Sequence, residues 1–248
     1  MRLRQIALAA TDLEATATAL SDVLGIGQPF RDPGVGVFGL ENQVFPIGET
    51  FLEVVSPVRD DATAKRWIAK RGGDAGYMVI VQCDDLATLA RETERAKRWG
   101  AVVVWEGEHA GARTAHFHPR VLGAIASLDA MPAWGDWVWA GRSWRERSHT
   151  RTTKAITGAE IASPDPEKLA AYWTALLGIK ARRAQDGLAI ALPRGGRIAF
   201  VPGTGGDALV GVEIALVDRA RFETRARERG VLGADGAATI AGVRFIPA

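Results

Sequence analysis

The sequence predicts an α+β fold of four βαβββ modules in two paired halves, each module being a strand, a helix and three further strands. The first observation is an internal repeat, which indicates a modular architecture. A short apolar strand runs into an acidic turn and then into an amphipathic helix. The second observation is that each helix pattern ends at a glycine and is followed by short β-rich runs. The four strand-and-turn openings are residues 5–14, 78–86, 158–167 and 211–219.

The first and third helices carry the clearest start and stop signals. Thr11 and Glu14 have the spacing of a capping box, and Pro166 suits the first position of a helix. Apolar residues of the first helix recur on one face, at Leu13, Ala17, Leu20 and Leu24. Both helices end in a Leu-Gly-Ile phrase, at 24–26 and 177–179, where glycine can adopt the left-handed conformation that stops a helix.

Short β-rich runs between glycine and proline turns predict the strands that follow each helix. They are residues 35–40, 44–55, 102–105, 114–118, 124–128, 188–192, 198–201 and 238–245. Strand, helix and several strands, repeated along the chain, indicate an α+β protein with antiparallel sheet.

We expect a domain at 1–130, with modules at 1–58 and 75–130, and a second, degenerate domain at 152–248. The connector 131–151 holds four of the eight tryptophans of the chain, at Trp134, Trp137, Trp139 and Trp144. Aromatic residues in such number suit packing between the halves or over a sheet edge. The other interpretation is an aromatic wall for a ligand, and packing is the one the sequence favours.

Composition excludes several classes of protein. The 31 basic and 29 acidic residues give a net charge of +2, which does not indicate a nucleic-acid-binding protein. Cys83 is the only cysteine, so no internal disulfide is expected and a reducing compartment is natural. The N-terminal residues lack the pattern of a signal peptide, and no apolar run approaches the roughly 20 residues that span a bilayer. We expect a cytoplasmic protein with no membrane association.

The N-terminal half resembles the vicinal-oxygen-chelate superfamily, in its glyoxalase-like branch. The matching segments are residues 5–14 (QIALAATDLE), 24–26 (LGI), 50–55 (TFLEVV), 76–80 (GYMVI), 118–119 (HP) and 123–129 (GAIASLD). The C-terminal half matches more loosely. The resemblance implies the fold shared by glyoxalase, bleomycin-resistance proteins and dihydroxybiphenyl dioxygenase. One fold hosts many chemistries, so it leaves the reaction open.

The resemblance also implies a divalent metal in a cup between two paired modules, each giving one ligand from its first strand and one from its last. In module one these positions hold Gln5 and Glu53, both oxygen donors that suit such an ion. In module two they hold Met78 and Ser127, a thioether and a neutral hydroxyl that are poor ligands. We therefore expect at most one weakly held divalent ion, on Gln5 and Glu53.

Other polar residues of module two could complete the site. Period-two alternation puts Asp129 on the same face as Ser127, about 7 Å further along the strand. His116 lies on the preceding strand, where a role inside the cup and a structural role are equally open. His118 shares its face but lies beside Pro119 in a turn, which favours a structural role.

Glu53 is the strongest functional candidate. A carboxylate between Leu52 and Val54 is expected to face a polar cavity rather than the core, the alternative being an outward-facing strand residue. Glu53 and His116 are the predicted catalytic residues. The predicted ligand-binding residues are Gln5, Tyr77, Met78, His118, Ser127 and Asp129.

The C-terminal half offers no equivalent site. Its corresponding positions are Gly158, Phe200, Gly211 and Phe245, whose side chains cannot bind a metal. Glu160 and Glu213, further along two of these strands, are interpreted as polar lining or surface. This half is expected to be a structural partner or a pocket without metal.

Three functions remain open. One is a lyase- or isomerase-type enzyme that acts on a small organic molecule, in which Glu53 or His116 moves a proton. Another is a metal-free binding protein of the resistance type, for which Tyr77, Met78 and the connector tryptophans would suit an apolar ligand. The third is an interaction module without a small ligand. The sequence does not separate enzyme from binder. We expect a small-molecule ligand and a monomer or homodimer.

Overall fold

The computed structural model describes residues 1–184 and 187–248, and it confirms the α+β class. The chain forms two compact units. Unit 1 comprises Met1–Arg4, Met78–Val138 and Gly158–Leu209, and unit 2 comprises Gln5–Tyr77, Trp139–Thr157 and Val210–Ala248. Unit 1 therefore holds most of modules two and three, and unit 2 most of modules one and four. The units do not coincide with the halves expected at 1–130 and 152–248, whose boundaries remain a prediction.

Module one has three strands. Its elements are β1 (Arg2–Ala9), α1 (Leu13–Leu24), a 3-10 helix (Pro33–Phe38), β2 (Leu40–Ile47) and β3 (Thr50–Pro57). β3 pairs with β1 in parallel and with β2 in antiparallel fashion. The predicted strand at 35–40 is wrong, because Pro33 and the Asp32 side chain, which accepts from Gly34 N, start a 3-10 helix there. The run 44–55 is two strands that turn at Gly48.

Module two is complete. A helix, α2 (Thr63–Arg71), precedes it, and its own elements are β4 (Ala75–Gln82), α3 (Leu86–Arg98), β5 (Val103–His109), β6 (Ala112–Phe117) and β7 (Ile125–Ala130). The strands lie in the order β4-β7-β6-β5. β4 and β7 are parallel, and the remaining pairs are antiparallel. This is the predicted strand, helix and three further strands.

Modules three and four repeat the plan, after the connector has formed a short helix, α4 (Trp144–Arg147). Module three consists of β8 (Thr153–Ser163), α5 (Pro166–Leu177), β9 (Arg182–Ala184), β10 (Gly187–Ala191) and β11 (Arg197–Pro202), in the order β8-β11-β10-β9. Module four consists of β12 (Ala208–Leu216), α6 (Arg219–Glu228), β13 (Ala238–Ile240) and β14 (Val243–Pro247), in the order β13-β14-β12. Modules one and four, whose residues are all described, thus have one strand fewer than modules two and three.

The four repeated acidic turns are helix N-caps. In each, an aspartate carboxylate accepts a hydrogen bond from the backbone N–H three residues later, which satisfies one of the free donors at the start of a helix. The four residues are Asp12, Asp85, Asp165 and Asp218. The predicted Thr11–Glu14 capping box is wrong, because Asp12 occupies the cap and accepts from Ala15 N at 2.9 Å. The glycine stops at Gly25 and Gly178 are left-handed, as predicted.

Two of the connector tryptophans pack inside the protein. In unit 1, Trp137 is 1% exposed and the Arg4 guanidinium lies 5.5 Å from its ring. In unit 2, Trp144 is 3% exposed and meets Phe51 edge to face, with ring centroids 5.1 Å apart. Both contacts fit the packing interpretation. Among the described residues, no helix is long and apolar enough to span a membrane.

Candidate functional site

Glu53 is a buried carboxylate that two side-chain amides hold in place. It is 7% exposed. Gln5 Nε2 donates to Glu53 Oε2 at 2.8 Å, and Asn42 Nδ2 donates to Glu53 Oε1 at 2.6 Å. Each carboxylate oxygen therefore has a neutral donor, which offsets part of the cost of removing the charge from water. We call Gln5, Asn42 and Glu53 the Glu53 cluster.

Strand register brings the cluster together. Glu53 lies opposite Ala7 of β1 and opposite Val44 of β2. Because side chains alternate along a strand, Gln5 and Asn42, each two residues before those partners, share the face of Glu53. The sequence analysis predicted Gln5 and Glu53 but missed Asn42. A polar residue at the start of β2 was visible, but its register against β3 is a non-local property.

Asn42 also reaches a pocket at the surface of unit 2. Its Oδ1 accepts from the backbone N–H of Asp32 at 2.8 Å. The pocket has a volume of about 190 Å³, and it is lined by Arg31, Asp32, Pro33, Gly36, Leu40, Glu41 and Asn42. The Asn42 amide thus forms part of the pocket wall and also bonds to the buried carboxylate.

Tyr77 is a buried tyrosine whose pKa is affected by the charge of Glu53. It is 5% exposed, and its ring meets Trp67 edge to face with centroids 5.8 Å apart. Burial, and then the negative charge of Glu53, raise the pKa of Tyr77 to about 12. Tyr77 therefore remains a phenol at neutral pH and can donate a hydrogen bond while Glu53 accepts one.

A second polar cluster lies in unit 1, on one face of β6 and β7. Thr114 pairs with Asp129 across the strands, and His116 pairs with Ser127. Thr114 Oγ1 donates to Asp129 Oδ1 at 3.1 Å, and Ser127 Oγ donates to the same oxygen. Ser127 and Asp129 share a face, as the alternation predicted. Thr114, Ser127 and Asp129 are at most 4% exposed, so they form a fixed buried support.

His116 is the half-buried member of this face. Its ring lies against Trp105, with centroids 4.7 Å apart. Burial lowers the pKa of His116 to about 4, so the imidazole is neutral at pH 7. A neutral imidazole can accept a hydrogen bond or a proton, but it is a poor general acid at that pH.

Met78 and His118 complete the predicted set. Met78 is 8% exposed and pairs with Ile125 across β4 and β7, where the two side chains form an apolar patch. His118 is exposed at the start of a 3-10 helix (Pro119–Val121), and its Nδ1 accepts from Arg120 N at 3.1 Å. That bond caps the turn and accounts for His118 without a ligand.

The structure distributes the predicted residues over both compact units. Gln5, Glu53 and Tyr77 belong to unit 2, with Asn42. The members that belong to unit 1 are Met78, His116, His118, Ser127 and Asp129. Each unit therefore holds its own set of polar groups.

The Glu53 cluster does not fit a tightly held divalent ion. A metal would need the oxygens of Gln5 and Glu53 to converge, whereas both oxygens of Glu53 accept from amide N–H groups. Among the described residues, no group of three or more His, Cys, Asp or Glu could hold a metal. The C-terminal positions add no ligand, because the side chains of Phe200 and Phe245 have no donor atom and pack in the core. Glu213 is 3% exposed, which excludes the surface alternative for this residue and leaves the interpretation as polar lining.

A sequence model described as a glyoxalase-like domain matches residues 6–177. No curated protein matches the chain. A triple mutant of 4-hydroxymandelate synthase from Streptomyces coelicolor has a similar structure, with a TM-score of 0.70 and 18% identity over 93% of this chain and 75% of that one. This likeness shows the fold.

Methylmalonyl-CoA epimerases match over a shorter length. The Streptomyces coelicolor epimerase in complex with 2-nitronate-propionyl-CoA has a TM-score of 0.47 and 20% identity over 54% of this chain and 99% of that one. The Mycobacterium tuberculosis epimerase has a TM-score of 0.44 and 18% identity over 52% of this chain and 86% of that one.

Proposed function

We propose, because the chain belongs to the glyoxalase-like domain family of the vicinal-oxygen-chelate superfamily, that it binds a small organic molecule at Glu53. The observation that carries the proposal is the Glu53 cluster: a buried carboxylate, at the family's last-strand position, held by two neutral amides. Keeping a charge at 7% exposure is costly, and a hydrophobic residue would fill the same position more cheaply. A function in binding a ligand that donates a hydrogen bond or a proton would account for a buried carboxylate at this position.

The chemistry follows from the hydrogen bonds and protons that Glu53 and Tyr77 can accept or donate. A carboxylate oxygen can accept more than one hydrogen bond, so the amides of Gln5 and Asn42 do not by themselves close Glu53 to a further donor. Glu53 can therefore accept a hydrogen bond from a ligand hydroxyl, or take the proton of a C–H that is acidified by a neighbouring carbonyl. Tyr77, which keeps its proton, can donate to the carbonyl oxygen. The ligand class is a small molecule with adjacent oxygen functions, such as an α-hydroxyketone.

The proposal assigns no step to a metal. Glu53 is the single carboxylate of its cluster, and among the described residues no group of three or more His, Cys, Asp or Glu could hold a metal ion. Of the three functions that the sequence leaves open, metal-free binding of a small molecule requires only the residues described. Proton transfer to Glu53 is the additional step that would make the protein an enzyme. The cytoplasmic location and the monomer or homodimer remain predictions.

The first test is a thermal-shift screen against small diketones, thiol adducts, aromatic compounds and hydroxyacetone. We expect compounds with adjacent oxygens to raise the melting temperature of the wild type, and Glu53→Gln to abolish that shift. Glu106→Gln, the same change at an exposed strand glutamate, should keep it. A Glu53→Gln protein that keeps the full shift would overturn the proposal.

A second test separates enzyme from binder. Hydroxyacetone in D2O is followed by NMR, because removal of its C–H proton exchanges hydrogen for deuterium. Faster exchange with the wild type than with Glu53→Gln indicates proton transfer to the carboxylate. Binding without faster exchange indicates a binding protein.

A further inference from the structure

Asn42 is bonded on both sides of its amide. On one side its Nδ2 donates to Glu53 Oε1 at 2.6 Å, and on the other its Oδ1 accepts from Asp32 N at 2.8 Å. Asn42 is 3% exposed, and it lines the pocket of about 190 Å³ together with Asp32. The asymmetric amide fits this place in one orientation only, because Asp32 N requires an oxygen and Glu53 requires a donor.

We infer that Asn42 is a positioning residue: it fixes the orientation of the Glu53 carboxylate and ties it to the backbone at the wall of the pocket. This inference rests on the proposed function, because it assigns Asn42 a role in the binding of a ligand by Glu53. A hydrogen bond from the pocket wall to the carboxylate also lets the pocket affect Glu53. Any molecule that displaces the backbone at Asp32 moves the donor of Glu53 Oε1.

Gln5 does not give the same constraint. Its Nε2 donates to the other oxygen of the carboxylate, Oε2. Gln5 also has one more methylene than Asn42 and so more rotatable bonds with which to follow the carboxylate. Asn42 is shorter, and its oxygen is held by a backbone donor. Of the two amides, Asn42 is therefore the one that sets the direction of the carboxylate.

The contact between Asn42 and Glu53 is tested by introducing a charge, and the binding measurement below separates positioning from a merely structural role. In Asn42→Asp an oxygen replaces Nδ2 beside Glu53 Oε1, at a site where the atoms are 2.6 Å apart. Two carboxylates at that distance cannot both ionise, so the pair retains a proton and its folded-state pKa rises above the unfolded value. The pair then stabilises the fold at low pH, and this contribution is lost as the pH rises through the raised pKa. We expect the stability of the variant relative to the wild type to decline with rising pH.

The matched control is Gln43, the next residue on β2. Its Nε2 donates to Glu14 Oε2 at 3.0 Å, but Glu14 is 68% exposed. Gln43→Ala thus removes an amide-to-carboxylate bond on the same strand without affecting a buried charge. We expect Gln43→Ala to bind hydroxyacetone as the wild type does.

The experiment measures hydroxyacetone binding by saturation-transfer NMR titration, together with urea denaturation across pH. Asn42→Ala should weaken binding about tenfold, the loss of one charge-assisted hydrogen bond, and Asn42→Gln, which restores an amide, should recover part of it. Loss of binding in Glu53→Gln with full binding in Asn42→Ala would overturn the positioning role alone. Full binding in Glu53→Gln would overturn the proposed function itself. An Asn42→Asp protein whose stability follows that of the wild type at every pH would also overturn the inference, even if Asn42→Ala does not fold.

Discussion

The imidazole of His116 lies against the indole of Trp105, with ring centroids 4.7 Å apart and ring planes inclined at 52°. Gly107 makes room for this arrangement, because a Cβ there would lie 2.2 Å from the Trp105 ring. Trp105 lies on the edge strand β5, where its indole covers His116 of β6, and the resulting burial lowers the pKa of the imidazole.

This burial predicts a pH dependence of stability. The folded-state pKa of His116 is about 4 and the unfolded value is 6.5, so the unfolded chain binds the proton first as the pH falls. His116 therefore costs the wild type about 1–3 kcal/mol of unfolding free energy as the pH drops from neutral toward the folded-state pKa. His116→Gln, which cannot take up this proton, should lose less stability over the same range. Urea denaturation of both proteins at several pH values measures the difference, and parallel profiles would contradict the assigned burial.

Glu53→Gln is expected to fold with a modest loss of stability. The new amide can accept a hydrogen bond with its oxygen, but its nitrogen faces the donor of either Gln5 or Asn42. One of the two amide bonds is lost, so we expect a loss of about 1 kcal/mol in unfolding free energy. Chemical denaturation measures it, with Glu106→Gln as the exposed control, expected within about 0.5 kcal/mol of the wild type. A loss of about 3–5 kcal/mol would instead indicate that Glu53 is a member of a buried ion pair.

Thr114 and Ser127 are expected to act as one unit on Asp129. Each hydroxyl donates to the same carboxylate oxygen, and the two hydroxyls are 2.9 Å apart. Thr114→Val and Ser127→Ala should each cost about 1–3 kcal/mol, because a buried carboxylate loses a donor. The double variant should differ from the sum of the single ones by about 0.5 kcal/mol or more. A double-mutant cycle measures this coupling, and strict additivity would show that the two hydroxyls act independently.

Gly178 is expected to be more sensitive to an added side chain than a glycine with open space around it. Its φ is +66°, and a Cβ would lie 2.1 Å from Arg95 Nη1, whose guanidinium donates to Leu176 O at 2.7 Å. Gly178→Ala should therefore cost about 2–4 kcal/mol, from backbone strain together with the displaced Arg95. Gly72→Ala is the matched control: its φ is +76°, with nothing within 4 Å of the added Cβ, and it should cost about 1 kcal/mol. Equal losses in thermal and chemical denaturation would show that the contact with Arg95 adds nothing.

Metal analysis is expected to find at most one weakly held divalent ion per chain. The amide donors occupy both oxygens of Glu53, and Met78 and Ser127 replace the ligands that the family resemblance implies in module two. Mass spectrometry of the purified and dialysed protein measures the content. Two or more tightly held ions, or any ion bound in the C-terminal half, would contradict this prediction.

Local features such as helix caps could be predicted from the sequence, whereas the pairing of strands from distant segments could not. The four aspartates of the repeated turns marked where the helices begin, because a cap acts on an N–H group three residues away. The bond from Asn42 to Glu53 depends on the register of β2 against β3, which a single sequence does not specify. Residues 35–40 were interpreted as a strand because their valines suit one. The interpretation is wrong because Pro33 and the Asp32 cap start a 3-10 helix there.

The order of short and complete modules along the chain also bears on the history of the gene. Modules one and four have three strands each, and modules two and three have four. Tandem duplication of an ancestral segment with one short and one complete module would give the order short, complete, short, complete. The observed order is short, complete, complete, short. At the places where the additional strands would pair, only isolated antiparallel bridges are found among the described residues, from Phe30 to Val44 and from Leu232 to Ala238. If the halves arose by duplication, at least two modules therefore changed their number of strands after the copies had begun to diverge.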